Sequence, residues 1–278
     1  MTEPTTPAWR RRALLHGLAA VAVGLPAVAG GAAATPTPWV WRSRFEAGLA
    51  GWPGLGPVWG RHNQRFLADA EVDGRLLRVA LPRGGIDPGT MRRRGLPAAG
   101  TGFKARILAG GSDAATLHYR LRFPAGFHFV RGGKLPGLFG GTGPSGGHLP
   151  DGRDGFSLRL MWREHGAGEV YAYLPDSRVH GTSLLHGRFA FVPGRWHELV
   201  QAVRLNTPGR ADGVLGLWLD GRAAGRVTGL RLRDLPELRV DGVFVDVFFG
   251  GNDDSWAPQA DSHVDLADFA LADAAPGL

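Results

Sequence analysis

Cysteine is absent from the 278 residues, which excludes disulfide staples, thiolate zinc sites and a cysteine nucleophile. Lysine is nearly absent: Lys104 and Lys134 stand alone among 32 basic residues, the rest being arginine. Tyrosine is scarce, three residues against fourteen phenylalanines. From Trp39 onward no sustained 3.6-residue periodicity occurs, so the pattern offers no long amphipathic helix and no alternating strand–helix units. Past the N-terminus no apolar run is long enough to span a bilayer. What is abundant is glycine (44) and proline (20), a load that fits many turns between short strands. The formal charge of +7 rests on an Arg/Gly/Ala/Pro bias of the kind a GC-rich genome produces. It therefore does not by itself indicate a nucleic-acid partner. Arg92-Arg93-Arg94 has no interleaved aromatics and reads as a solvated loop.

Residues 1–34 read as a cleavable export signal. Arg10-Arg11-Arg12 is followed by an apolar run from Ala13 to about Ala29 and by Ala32-Ala33-Ala34, with Ala29 a second cleavage point. Arg11-Arg12-Ala13-Leu14-Leu15 has the form of a twin-arginine signal, so a secreted or periplasmic location is expected. His16, Gly24 and Pro26 interrupt the run and argue against a retained membrane anchor. Residues 35–278 are expected to form a single domain.

That domain reads as all-β. Leu117–Phe123 and Phe156–Trp162 alternate apolar with polar or basic residues, and Val243–Phe249 is rich in β-branched and aromatic residues. Asp220-Gly221 and Asp241-Gly242 are hairpin-type turn signals. The expectation is a two-sheet antiparallel sandwich or jelly roll with a concave cleft. The Gly/Pro-rich stretch Gly132–Gly155 reads as a long functional loop.

Alternation has a chemical consequence. If Phe156, Leu158, Leu160 and Trp162 face a core, Ser157, Arg159, Met161 and Arg163 face the other way. After the turn Glu164–Gly168, Val170, Ala172 and Leu174 share one face, leaving Tyr171 and Tyr173 on the other. A hairpin centred near Gly166 sets Arg163 opposite Glu169, Met161 opposite Tyr171 and Arg159 opposite Tyr173, gathering the polar residues on one surface. A one-residue slip would bury the tyrosines instead. Any one such Arg or Tyr is an ordinary solvated residue by default. Two of the chain's three tyrosines on one face, beside a lysine, Lys134, in a chain that otherwise uses arginine, weigh against that default. Tyr119 reads as a core residue.

These residues carry a resemblance. Gly133-Lys134-Leu135-Pro136-Gly137-Leu138, Gly155-Phe156-Ser157-Leu158-Arg159, Trp162-Arg163 and Glu169-Val170-Tyr171-Ala172-Tyr173-Leu174-Pro175 resemble polysaccharide lyase family 14, the alginate and glucuronan lyases with a β-jelly-roll fold. Pro193–His197, Arg204–Gly209 and Phe248–Gly251 look like its later segments, so the likeness runs over about residues 115–270. It implies cleft and catalytic positions at Lys134, Ser157, Arg159, Tyr171 and Tyr173.

A uronate polymer is cut by elimination when the C5 proton leaves and the O4 glycosidic oxygen departs. A cation on the neighbouring carboxylate stabilises the charge that develops, and a guanidinium binds it in bidentate fashion. Arg159 is assigned that role, with Lys134, Tyr171 and Tyr173 sharing the base and acid steps in an undecided order. Ser157 and Arg163 are candidate substrate-binding residues, and His180 an additional proton carrier. An arginine neutraliser makes a metal unnecessary, so neither a metal nor another cofactor is expected. The expected partner is an anionic polysaccharide bound by a monomer, with no nucleic acid and no membrane after signal removal. Two alternatives remain open. A sandwich-fold hydrolase needs a carboxylate pair across the sugar, and Asp246 and Asp253-Asp254 read better as structural residues, with Asn252-Asp253-Asp254 a turn that could hold calcium. A non-catalytic carbohydrate-binding sandwich would also display Arg, Tyr and Trp on a sheet face.

Overall fold

The computed structural model describes residues 38–278; the expected export segment, residues 1–34, lies outside the described residues. Two antiparallel sheets face each other. The first runs in the order β12 (Arg222–Leu230), β11 (Gly213–Leu219), β10 (Trp196–Arg204), β5 (Ala114–Arg122), β14 (Ser262–Ala272), β3 (Leu76–Leu81) and β2 (Gln64–Leu67). A short β1 (Trp41–Ser43) also pairs with β14. The second runs β4 (Thr101–Ala105), β13 (Gly242–Phe249), β6 (Gly132–Gly141), β7 (Gly155–Arg163), β8 (Gly168–Tyr173) and β9 (Thr182–Leu184). The expected all-β sandwich is what forms.

The core lies between the sheets. Leu117, Tyr119 and Leu121 of β5 and Leu215 and Leu217 of β11 meet Leu158, Leu160 and Trp162 of β7 and Val243, Val245 and Val247 of β13. Period two then sends Ser157, Arg159, Met161 and Arg163, with Phe244, Asp246 and Phe248, to the opposite face of the second sheet. Tyr119 is buried as expected, and its hydroxyl donates to the Pro136 carbonyl at 3.1 Å.

Pro136 sits inside a central strand, where a residue without an N–H belongs only at an irregularity. The β6–β7 register shifts between Leu135 and Gly137, and the β13–β6 register breaks at the same level. The opposing sheet repairs the ladder. Buried Gln201 of β10 accepts from Leu138 N at 3.0 Å and donates to Leu158 O at 2.7 Å, so the groups freed by the irregularity stay paired.

Four sequence expectations change. Gly132–Gly141 is strand, and the loop is the shorter segment 142–154. Its glycines mark close approach: a Cβ on Gly133 would lie 2.0 Å from the Trp162 ring, and one on Gly140 2.1 Å from Arg239 O. The β7–β8 hairpin pairs Ser157 with Tyr173, Arg159 with Tyr171 and Met161 with Glu169, two residues away from the expected register. The turn is a single 3₁₀ turn, Glu164–Gly166, with His165 in the left-handed region at φ 58°, which centres the hairpin one residue earlier. An even shift preserves both faces. Asp241-Gly242 does not close a hairpin, because it feeds β13 in the second sheet after β12 in the first. Finally, Arg92 and Arg93 end a six-residue helix, α1 (Pro88–Arg93), capped by the Asp87 carboxylate on Thr90 N at 3.0 Å, rather than lying in a loop. One and a half turns are too short to show a 3.6 period.

A Cβ on Gly137 would lie 2.1 Å from Leu158 O and 2.6 Å from Arg159 Cα, both backbone atoms. Gly137→Ala is therefore expected to lower the unfolding free energy by about 1–3 kcal/mol. Gly51→Ala, where nothing lies within 4 Å, should stay within about 0.5 kcal/mol of the parent in the same urea titration.

Candidate active site

The outer face of the second sheet gathers chemistry from five adjacent strands. Lys104 comes from β4, Asp246 from β13, Lys134 from β6, Ser157, Arg159 and Arg163 from β7, and Tyr171 and Tyr173 from β8. Both lysines of the chain are here. Scarcity and the resemblance together singled out Lys134; scarcity by itself would equally have singled out Lys104.

Arg159 is only 2% exposed. Its Nη1 donates to Asp246 Oδ2 at 2.5 Å, across the intervening strand β6, where the residue opposite Arg159 is Gly137. Its Nε and Nη2 have no hydrogen-bond partner. Its guanidinium carbon lies 4.6 Å from the Phe244 ring centre and 5.8 Å from that of Tyr173. Burial pushes the Asp246 carboxyl up, against the pull of Arg159 and of both lysines.

Lys134 Nζ sits 4.0 Å over the Tyr171 ring and donates to Met161 Sδ at 2.7 Å. Burial, reinforced by the charges of Arg159 and Arg163, pushes its ammonium well below the ordinary lysine value. Burial also lowers Lys104, whose Nζ donates to the Thr142 carbonyl at 2.5 Å. Tyr171 and Tyr173 meet edge to face at 5.8 Å. Burial and the neighbouring Tyr173 push the Tyr171 phenol up, although the Gly181 backbone amide pulls the other way.

The 142–154 loop closes over the Tyr173 end. Gly147 N donates to Tyr173 Oη at 3.0 Å, and the Ser157 hydroxyl donates to Pro144 O at 2.7 Å. Ser157 is fully buried, so its hydroxyl proton is committed to the loop; it anchors a wall of the cleft. His180 lies beside Gly147, at the outer edge of this wall.

At the other end, Arg163 grips Glu169 through Nε at 2.9 Å and Nη2 at 2.6 Å. Glu169 also accepts from the Ser183 hydroxyl and bonds His186 Nδ1 at 2.8 Å. Burial would raise this carboxyl, but the hydrogen bonds from Arg163 and Ser183 hold it below the ordinary glutamate value. Beside the pair opens a pocket of about 610 Å³ whose lining includes Arg131, Arg163, His186 and Trp256. The Arg131 guanidinium stacks 4.8 Å over Trp256.

Lys134, Arg159, Arg163, Tyr171 and Tyr173, expected on one face, are brought together there by the fold. Sequence reasoning set Glu169 opposite Arg163 without giving it a role, read Asp246 as structural, and did not single out Lys104, which the fold adds to this face. The Asn252–Asp254 turn is explained internally. Asp253 accepts from Ser255 N at 2.9 Å and Asp254 pairs with Arg94 at 2.6 Å. Among the described residues no group of three or more His, Asp or Glu side chains has metal-binding geometry.

An open sheet face lined by guanidinium, ammonium and phenol groups, its two carboxylates tied to arginines, defines a polysaccharide lyase more readily than a hydrolase, and the comparisons agree. The family model Polysaccharide lyase 14 matches residues 69–269, and the chain belongs to that family. Among solved structures, the marine PL-14 alginate lyase from Aplysia kurodai is 29% identical, with a TM-score of 0.73, 84% of this chain and 98% of that one covered. The alginate lyase vAL-1 from Chlorella virus shares the fold at 19% identity and TM-score 0.71, covering 84% and 99% of the two chains. So does the endo-β-1,4-glucuronan lyase from the fungus Trichoderma reesei, at 11% and 0.57, covering 84% and 95%. A search of curated protein sequences finds no match.

The Glu169 cluster sets an acid limit on stability. A carboxyl held below its ordinary value of 4.5 contributes stability that is complete above that value and is lost as pH falls through the depressed folded value. Glu169→Gln should cost about 3 kcal/mol at pH 7, the range for breaking a buried pair. It should also flatten the decline of unfolding free energy below pH 4.5. Denaturant titrations across pH 3–7, chosen to bracket the ordinary carboxyl range, check both.

Proposed function

We propose that this lyase cleaves a uronate-containing polysaccharide of the alginate or glucuronan type by β-elimination, leaving a 4,5-unsaturated uronate end. The observation that carries this reading is the buried Arg159 fork. With Nη1 held by Asp246, the Nε and Nη2 donors remain together on one edge without partners. That edge matches the two oxygens of a carboxylate. Buried donors left unpaired cost free energy, and a uronate carboxylate would supply the missing acceptors.

The remaining groups divide the proton steps. Lys134, whose ammonium burial and neighbouring cations push well below the ordinary lysine value, is the base: as the free amine it takes the C5 proton. Neutralisation of the carboxylate by Arg159 makes that proton acidic enough to leave. The phenols supply the acid. Tyr171 is raised and stays protonated. The Tyr173 oxygen accepts from Gly147 N, so its own proton is free to point into the cleft. One of them protonates O4 as it departs, and the C4–C5 double bond forms. Arg163 and the Trp256 pocket extend the cleft for further sugar residues, and Ser157 holds its loop wall. The alginate lyase from Aplysia kurodai, 29% identical, supports a uronate substrate. Export by the N-terminal signal, and action as a monomer, complete the proposal: a polymer too large to enter a cell is met outside it.

The test is a panel of glucuronan, mannuronate-rich and guluronate-rich alginates, followed by the ultraviolet absorbance of unsaturated ends. Arg159→Ala should lower kcat/KM by about 10²–10³-fold, while Arg226→Ala, on the exposed side of β12, leaves it unchanged. No absorbance rise on any polyuronate from the folded protein overturns the reading. The pH profile adds a second check. Activity should rise with pH as Lys134 deprotonates, below the 10.5 of ordinary lysine, and, with Tyr171 as the acid, fall only above 10 as its phenol ionises.

A further inference from the structure

We infer that Asp246 is a positioning residue for the elimination: it fixes which edge of the Arg159 guanidinium meets the substrate carboxylate and weakens ground-state binding of the polyanion. The inference rests on the lyase reading above and goes beyond it. A carboxylate in the floor of a cleft for a polyanion repels the ligand, and this fold accommodates one deliberately. Asp246 is 5% exposed. Its Oδ1 fits only because Gly102 lacks a side chain: a Cβ there would lie 2.1 Å from that oxygen and 2.5 Å from Trp59 Nε1. Three basic side chains, Arg159, Lys134 and Lys104, converge on it.

Geometry gives the first half of the role. A guanidinium can offer its Nη1–Nη2 edge or its Nε–Nη2 edge to a carboxylate. Asp246 occupies Nη1, so only the second edge is free, and Phe244 packed beneath the plane at 4.6 Å keeps it from swinging away. The substrate then docks in one orientation relative to Lys134. Electrostatics gives the second half. The negative charge of Asp246 offsets part of the attraction that the Arg159 and Lys104 cations exert on a polyanion. Attraction felt equally by substrate and transition state lowers KM without raising kcat. Orientation, in contrast, is felt in the transition state.

Removing the charge therefore moves the two kinetic constants in an unusual combination. With Asp246→Asn, KM for a polyuronate should fall about threefold while kcat falls about tenfold or more. Asp246→Glu keeps the charge but displaces it by one methylene; its KM should stay within about twofold of wild type while kcat again falls about tenfold. A residue that merely supports the fold would lower the active fraction or raise KM. Unfolding midpoints measured alongside identify that case, and if Asp246→Asn does not fold, Asp246→Glu carries the test. The inference is overturned if Asp246→Asn raises KM or leaves kcat unchanged, or if Asp246→Glu turns over like wild type. A folded wild type inactive on every polyuronate would bring down the lyase reading and this inference together. An active wild type with an indifferent Asp246 brings down the inference alone.

Discussion

A guanidinium buried in the floor of a β-sheet is the constraint on which the rest of this molecule turns. Desolvating Arg159 is costly unless its hydrogens find acceptors, and only Nη1 finds one, on Asp246. Everything around it keeps the group from escaping to water: Phe244 on one side, Tyr173 on the other, and no side chain on Gly137 opposite it. The missing bonds are therefore a standing cost of the fold, carried in a place that water does not reach.

The rest of the charge on this face is arranged so that it does not smother that need. Glu169 is fully engaged by Arg163, Ser183 and His186, and Asp246 by Arg159. Neither carboxylate is free to serve as the acid or base of a hydrolytic pair. Lys134 keeps a soft thioether and an aromatic face as neighbours rather than a carboxylate partner. That surrounding allows burial to depress its pKa, because no paired anion holds the proton on. The same ammonium ion-paired with Asp or Glu would hold its proton more tightly.

How much of this was legible in the sequence follows from distance along the chain. Alternation in Phe156–Trp162 and Glu169–Leu174 put Arg159, Tyr171 and Tyr173 on one face, and the two-residue error in register did no harm because the side-chain period is two. Tyr119 was legible as core. The Asp246–Arg159 pair spans 87 residues and two strand neighbours, and nothing local in Val243–Phe249 announces it. Glycines misled at Gly132–Gly141. In a loop they supply backbone freedom, whereas here they supply thinness, letting a strand pass against the Trp162 ring. A sequence shows that a side chain is missing and not which neighbour fills the gap.

The irregularity at Pro136 ties these threads to the core. The carbonyl of Pro136 is held by Tyr119, and the ladder groups of Leu138 and Leu158 are held by Gln201, both reaching over from the opposite sheet. Leu158 and Gly137 flank Arg159 directly. The floor of the cleft is therefore clamped from behind through the full thickness of the sandwich. Sliding of one sheet past the other would have to break these hydrogen bonds, and with them the backbone geometry beside Arg159. The shape of the cleft floor and the packing of the core thus share the same hydrogen bonds, so a change in how the two sheets pack reaches the outer face through Tyr119 and Gln201.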